Sequence, residues 1–236
     1  MSRAIPGVLW EEGQMLLPQH LQAAQNHYQE LVSQLTLGRT YSYGVKSMQI
    51  REASIGNWAF EVPSCEIVMP DGTYLVAGET AEIAPVEFRQ LQTEGSTLEV
   101  WLGIPFFTSS GPNLLDGSSS EEATGAFGRR YIAASMELRD ENSGGNPQEI
   151  RCRKLNARIF VGRRPEQGYT TLKIAELKKV NVEGDDGRVY ALSEQFVPAS
   201  LSLEAAPRLF RIVRDLLDIL EEKNEELHHQ LGREDM

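Results

Sequence analysis

Few residues in this sequence have the types and spacings that chemistry needs. There are four histidines, His20, His27, His228 and His229, and two cysteines, Cys65 and Cys152. His20 and His27 are two turns apart in a helix-like stretch, on roughly the same side. No cysteine, third histidine or well-placed carboxylate joins them, so they do not form a metal-ligand pattern and read as helix-surface or interface residues. His228 and His229 fall near a helix C-terminus, where positive charge is modestly favoured. The cysteines are far apart in strand-like surroundings and read as reduced core thiols. No Gly-x-Ser-x-Gly elbow, P-loop or dinucleotide fingerprint occurs. The adjacent acids Glu11-Glu12 and Glu121-Glu122 do not select a glycosidase pair, and a hydrolase has no residue constellation behind it. The chain therefore reads as a non-enzyme with no catalytic residue, cofactor or metal. One basic cluster, Arg151, Arg153, Lys154, Arg158, Arg163 and Arg164, alternates with apolar residues. It reads as a solvated sheet face, with a patch for an acidic partner as the alternative.

Composition narrows the partners further. The 236 residues carry a net charge of −11. That argues against general nucleic-acid binding and against docking on anionic lipid. Glu11 and Glu12 interrupt the first apolar run too early for a signal peptide, and no apolar stretch reaches membrane-spanning length. A cytoplasmic protein with no membrane insertion is expected.

The elements that position these residues follow from periodicity. Ile5 to Gln22 reads IPGVLWEEGQMLLPQHLQ. It opens extended at Pro6-Gly7, carries the apolar runs Val8-Leu9-Trp10 and Met15-Leu16-Leu17, and passes at Pro18 into a helix. It is either a strand tucked onto the chain's own core or a docking segment for another chain. Pro18 to Leu37 is an amphipathic helix whose apolar stripe is Leu21, Ala24, Tyr28, Leu31 and Leu35. Short β segments follow, at 41–50, 58–62, 67–69, 73–77, 98–104, 131–138, 150–161, 169–177, 178–182 and 189–192. Pro70-Asp71-Gly72 and Gly184-Asp185-Asp186-Gly187 mark turns. In LEVWLGI, Val100, Leu102 and Ile104 share one face and Trp101 takes the other. Long polar loops cover 108–128 and 139–147. This pattern predicts a mainly β fold, an antiparallel sandwich or barrel.

The chain then turns helical again, over Pro207 to Leu231. Leu209, Ile212, Val213, Leu216 and Leu220 form a seam, which Lys223 interrupts and Leu227 resumes. Phe210 and Leu217 put apolar surface on a second side. Such a helix needs a bundle. It is expected to pack on its own sandwich, to self-associate, or to fray beyond Glu221, where the run Glu221 to Glu226 has no apolar side chain. Self-association through Leu209–Leu220 with a poorly ordered tail is the favoured outcome.

Several segments carry a resemblance. Val8-Leu9-Trp10-Glu11-Glu12-Gly13-Gln14-Met15-Leu16-Leu17-Pro18-Gln19-His20-Leu21-Gln22 resembles the opening signature of TssK, the baseplate subunit family of the bacterial type VI secretion system; Gln14 is a minor departure. Ser42-Tyr43-Gly44-Val45 resembles a family Tyr-Gly pair before a strand. Pro70-Asp71-Gly72 and Val100 to Pro105 are similar to further family segments. Phe196-Val197-Pro198-Ala199-Ser200-Leu201 is similar to the approach to the family's helical neck, with Ala199 in place of a second proline.

The resemblance implies an antiparallel β-sandwich shoulder like that of phage receptor-binding proteins, with an N-terminal helix and a C-terminal neck helix. The divisions expected are 1–38 for the N-terminal segment and helix packed on the sandwich, 39–198 for the shoulder, and 199–236 for the start of the neck. It implies a homotrimer whose shoulder joins the wedge subunits TssF and TssG. Typical members continue to a head that contacts TssL and TssM of the membrane complex. The resemblance covers only the family's front half, which puts that contact in doubt for this chain. Val8, Leu9, Trp10, Met15, Leu16, Leu17 and His20 are the expected wedge-binding residues, and Leu209, Ile212, Val213, Leu216 and Leu220 the expected oligomer interface. The alternative is a phage-tail-like receptor- or carbohydrate-binding sandwich, with Trp58, Trp101 and Tyr169 lining a groove.

Overall fold

A computed structural model describes residues 6–38, 42–91, 96–115, 128–165, 167–180 and 189–234. In chain order the elements are α1 (Pro18–Leu37), β1 (Gly44–Gln49), α2 (Glu52–Ile55), β2 (Ala59–Phe60), β3 (Ser64–Val68), β4 (Tyr74–Val76), β5 (Ala81–Ile83) and β6 (Val86–Glu87). They continue with β7 (Thr97–Pro105), β8 (Leu114–Leu115), β9 (Tyr131–Leu138), β10 (Gln148–Val161), β11 (Tyr169–Val180), β12 (Val189–Leu192), a 3-10 turn at Leu203–Ala205, and α3 (Pro207–Glu234).

Two main sheets share one core, beside the two-stranded pair β2-β6. The smaller has the order β1-β3-β4; the larger has seven strands, ordered β12-β11-β7-β10-β9-β8 with β5 beside β10. Pairing is antiparallel except for the short β5/β10 and β8/β9 contacts. Every second residue of β7 (Leu98, Val100, Leu102 and Ile104) points inward, as period-two side-chain geometry requires. They meet Leu155, Ala157 and Ile159 of β10 and Leu172 and Ile174 of β11, and Val45, Cys65, Ile67 and Leu75 of the smaller sheet complete the core. The fold is the expected mainly β sandwich with a helix at each end.

The structure departs from the sequence reading in instructive places. Residues 52–55 form a short helix between the segments read as β at 41–50 and 58–62, a stretch the sequence reading left unassigned. Trp58 adopts φ 62, a left-handed conformation, so the strand expected over 58–62 shrinks to Ala59–Phe60. The two strands read at 169–177 and 178–182 are one, β11, whose register shifts between Lys173 and Ala175. That bulge buries the successive residues Ile174 and Ala175, which breaks the alternation. Cys65 lies in the core, and burial pushes its thiol up to about 11. Cys152 is only half-buried, opposite Ala134 on the β9–β10 hairpin, so it is not a core thiol. The turn expected at residues 184–187 lies outside the described residues.

Two glycines show why particular motifs sit where they do. Gly44 has φ +145, and a Cβ there would stand 2.6 Å from the Ala199 carbonyl oxygen. Only glycine lets β1 approach the 199–201 segment closely enough for Val45 N–H to donate to Ala199 O and Leu201 N–H to donate to Val45 O, each at 2.8 Å. The Tyr-Gly pair and the segment leading into α3 are thus two halves of one contact. Gly72 has φ +78, and its Cβ would meet Ser33 Cβ at 2.9 Å, so the β3–β4 turn seats against α1.

A buried arginine fastens the same turn to the larger sheet. Arg130, 9% exposed, donates to Pro105 O and Thr73 Oγ1 at 2.8 Å each, and its Nη2 lies 3.4 Å from Asp71 Oδ2. Arg130→Met keeps the stem but removes every donor. It is expected to cost about 2–3 kcal/mol, since the Pro105 carbonyl and Thr73 hydroxyl lose their partner. Urea unfolding reads this as a lower midpoint at unchanged slope; an unchanged midpoint means the latch contributes nothing.

Candidate docking surfaces

Residues 6–17 form a hook along α1. A Cβ at Gly7 would lie 3.7 Å from His27 Nε2, and the Trp10 ring stands 6.0 Å from the His20 ring, tilted by 50°. The segment therefore runs antiparallel to the helix. Three extended residues cover about 10 Å, the same length as the two helical turns from His27 to His20. The chain reverses at Glu11–Gln14, where Gln14 N–H donates to Glu11 O and Gly13 takes φ +79. Met15–Leu17 then lead into Pro18, the first residue of α1.

The expected wedge-binding residues separate into two groups on this hook. Leu9, Trp10, Met15, Leu16 and Leu17 are exposed, Trp10 at 54% and Met15 at 79%. Val8 and His20 are half-buried. Of the two readings of the N-terminal stretch, the strand tucked onto the core does not occur among the described residues 6–17: none of them forms a strand, and Leu9, Trp10, Met15, Leu16 and Leu17 face outward.

α1 touches the β3–β4 turn through Ser33, and of its expected stripe only Ala24 is not exposed. Ala23, Ala24, His27, Glu30 and Ser33 are half-buried, while Leu21, Tyr28, Leu31, Val32 and Leu35 are exposed. The small side chain of Ser33 allows its close approach to Gly72, which a bulky residue would block. The hook and the stripe are a concentration of uncovered apolar surface of the sort that marks interaction sites.

α3 is a second such surface. Its 28 residues extend about 42 Å. Ala206 is buried, Leu209 and Val213 are half-buried, and from Arg214 to His228 every residue is exposed. Ile212, Leu216 and Leu220 of the expected seam, with Leu217 and Ile219, therefore meet solvent. Packing of the helix along its own sandwich, one of the three expected outcomes, stops after its first two turns. The helix also passes through Glu221–Glu226 without a break. Glutamate, lysine and leucine are good helix formers, and Lys223 Nζ pairs with Glu226 Oε2 at 2.6 Å.

The other candidates are committed to intramolecular contacts. Trp58 packs with Phe88 and Tyr190. Trp101 donates its Nε1–H to Glu99 and lies under Arg164, and Tyr169 stacks edgewise on Phe160. In the basic cluster, Lys154 bonds Gly78 O and Glu82, Arg153 lies over Tyr131 at 4.4 Å, and Arg164 Nε donates to Thr171. Lys173 bridges Glu99 and Glu176; burial lowers its pKa, and the two carboxylates outweigh this and raise it. Among the described residues, no group of three His, Cys, Asp or Glu side chains could hold a metal. Nor is any described helix long and apolar enough to cross a membrane.

One exposed surface went unread in the sequence. Along the β9–β10 hairpin, Met136 stands opposite Ile150, with Leu138 on the same face, and all three are exposed. The signal was available: inward residues of β10 are Leu155, Ala157 and Ile159, whereas the same parity carries Glu149, Arg151 and Arg153 earlier in the strand. The apolar face switches sides where the hairpin leaves the core.

Comparison with known proteins agrees with this architecture. The chain is 24% identical over 227 residues to the type VI secretion system baseplate component TssK1 of Pseudomonas aeruginosa, covering 93% of this chain and 48% of the relative. It thus spans about half the length of that curated relative. The fold is similar to a solved TssK–TssF–TssG baseplate subcomplex chain, with TM-score 0.80 and 20% identity over 94% of this chain and 71% of that one. It is also similar to crystalline TssK, with TM-score 0.78 and 20% identity over 95% of this chain and 49% of the other. A family model described as Bacterial Type VI secretion, VC_A0110, EvfL, ImpJ, VasE matches residues 20–236, and the chain belongs to that family.

Proposed function

We propose that this chain is a structural subunit of a type VI secretion baseplate, acting in the cytoplasm without catalysis. Residues 39–198 are the shoulder, 1–38 the docking segment and helix, and 199–236 the start of the neck. The shoulder receives a wedge made of TssF- and TssG-like subunits, and α3 assembles copies into a trimer. The observation that carries this reading is the ordered hook with its large apolar side chains outward, on a fold shared with a chain of a TssK–TssF–TssG subcomplex. The test is copurification with TssF and TssG from the same secretion system, with stoichiometry from native mass; no complex under these conditions removes the reading.

Trp10 is the expected anchor, because large aromatics dominate binding energy at interfaces. Trp10→Ala is expected to weaken wedge binding by about 2 kcal/mol, roughly 30-fold, with the unfolding midpoint unchanged. A variant that unfolds, or that binds as tightly as the parent, returns Trp10 to a structural role.

A further inference from the structure

We propose that His20 does not itself contact the wedge but is the positioning residue that holds the hook in its docking shape, through a fixed tautomer. This rests on the reading that residues 8–17 receive the wedge. The Leu17 backbone N–H donates to His20 Nδ1 at 3.1 Å. A backbone amide can only donate, so Nδ1 must carry a lone pair, and neutral imidazole then bears its hydrogen on Nε2. That Nε2 lies 2.8 Å from the Gln14 amide group. Its N–H needs an acceptor, so Gln14 must turn Oε1 toward His20. The cost is the longer 3.2 Å bond that Oε1 receives from Glu11 N–H, an exposed donor that water can satisfy.

This arrangement ties the hook down from three sides. Nδ1 accepts the N–H of Leu17, the residue just before α1, as the N3 Glu or Gln of a capping box accepts the N–H of its N-cap residue. Nε2 fixes the turn through Gln14. The ring face supports Trp10. His20 is half-buried among these groups, while the side chains it holds face outward. A hook ordered before binding avoids the entropy of being ordered during it, which appears as affinity.

The test compares His20→Ala with His20→Asn in the full chain. The Asn side-chain oxygen falls near the position of Nδ1 and can still accept the Leu17 N–H, but it lacks Nε2 and the ring. In the parent, two-bond nitrogen spectra of His20 are expected to show unprotonated Nδ1 and protonated Nε2. His20→Ala is expected to speed Leu17 amide exchange, shift the Trp10 indole resonance and weaken binding to a TssF–TssG preparation roughly 10-fold, about the value of one hydrogen bond. His20→Asn should restore Leu17 protection and recover most of that binding. The His20→Ala and Trp10→Ala losses should combine to less than their sum, because both act through one segment.

The opposite tautomer overturns the proposal, as do unchanged Leu17 and Trp10 signals in His20→Ala. So does a His20→Asn variant with a protected Leu17 amide and a parental Trp10 resonance that binds as weakly as His20→Ala, since the ring would then be a direct contact. A parent that fails to bind TssF–TssG removes the docking reading and the purpose of the hook with it, while the nitrogen spectra and amide exchange still decide what His20 holds.

Discussion

Leu216→Asp is expected to turn a concentration-dependent oligomer into a monomer. In α3, Leu216, Leu217, Ile219 and Leu220 are each more than half exposed, and the sandwich covers only the first two turns. Each buried leucine or isoleucine side chain contributes about 1.5–3 kcal/mol. Left in water, a row of them favours association over any solvated state. An aspartate at the centre of that seam would place an unpaired carboxylate in an apolar interface in every copy. Such a charge costs several kcal/mol, so association should weaken by roughly 100-fold or more. The fold should survive, because Leu216 is 54% exposed on the part of α3 beyond its first two turns, and the helix keeps its backbone pattern. Sedimentation velocity across a concentration series reads the outcome directly. A parent that stays monomeric at high micromolar concentration would show that this seam alone does not assemble the protein. The heptad-like spacing does not choose between two and three strands; the proposed trimer is read in the same experiment.

Gly44→Ala is expected to be the most damaging single methyl in the sandwich. The added carbon would stand 2.6 Å from Ala199 O, 2.7 Å from Ala199 C and 2.9 Å from Ser200 N. All three are backbone atoms, so no side-chain rotation relieves the clash. The φ of +145 adds its own strain for any L side chain. The chain must open the Val45–Ala199 and Leu201–Val45 hydrogen bonds, at about 3 kcal/mol or more in total. Those two bonds also fix the segment that leads into α3, so the helix loses its anchorage on the smaller sheet. Hydrogen exchange should accelerate first at the Val45 and Leu201 amides, together with a lower urea midpoint. Ala199→Gly should not rescue the variant, since the obstruction is main chain. Rescue by that second change would mean the close approach has been misidentified.

These two predictions rest on different sources of information. Periodicity decides where elements lie, because a helix or strand that must bury one face writes its period into the sequence. α1 begins and ends where the Pro18 and Gly38 signals place it, and β9 and β12 match their apolar runs. The alternation of β7 fixes which side of Leu98–Ile104 is core before any partner strand is known. The seam of α3 is legible for the same reason. Local signals miss what depends on a distant neighbour. Trp58 looks like a strand residue by alternation, yet its left-handed backbone packs its ring between Phe88 and Tyr190, residues far along the chain.

Sequence by itself determined the mainly β class, the two terminal helices and the motifs around Gly44, Gly72 and Trp10, because each is a local pattern of size, polarity and backbone freedom. Tertiary structure alone decided what those patterns face. Leu21, Tyr28, Leu31 and Leu35 of the α1 stripe are exposed, while the helix meets the β3–β4 turn at the small Ser33, which comes closer than a leucine could. Gly44 is indispensable because the Ala199 backbone crosses it, a contact between residues remote in sequence. Arg130 is a latch because Asp71, Thr73 and Pro105 converge on it from two sheets. His20 was read as an interface residue from its place on a helix, while its partners, Trp10, Gln14 and Leu17, appear only once the chain doubles back. Burial and hydrogen-bond satisfaction are properties of the folded contact set, and no local period encodes them.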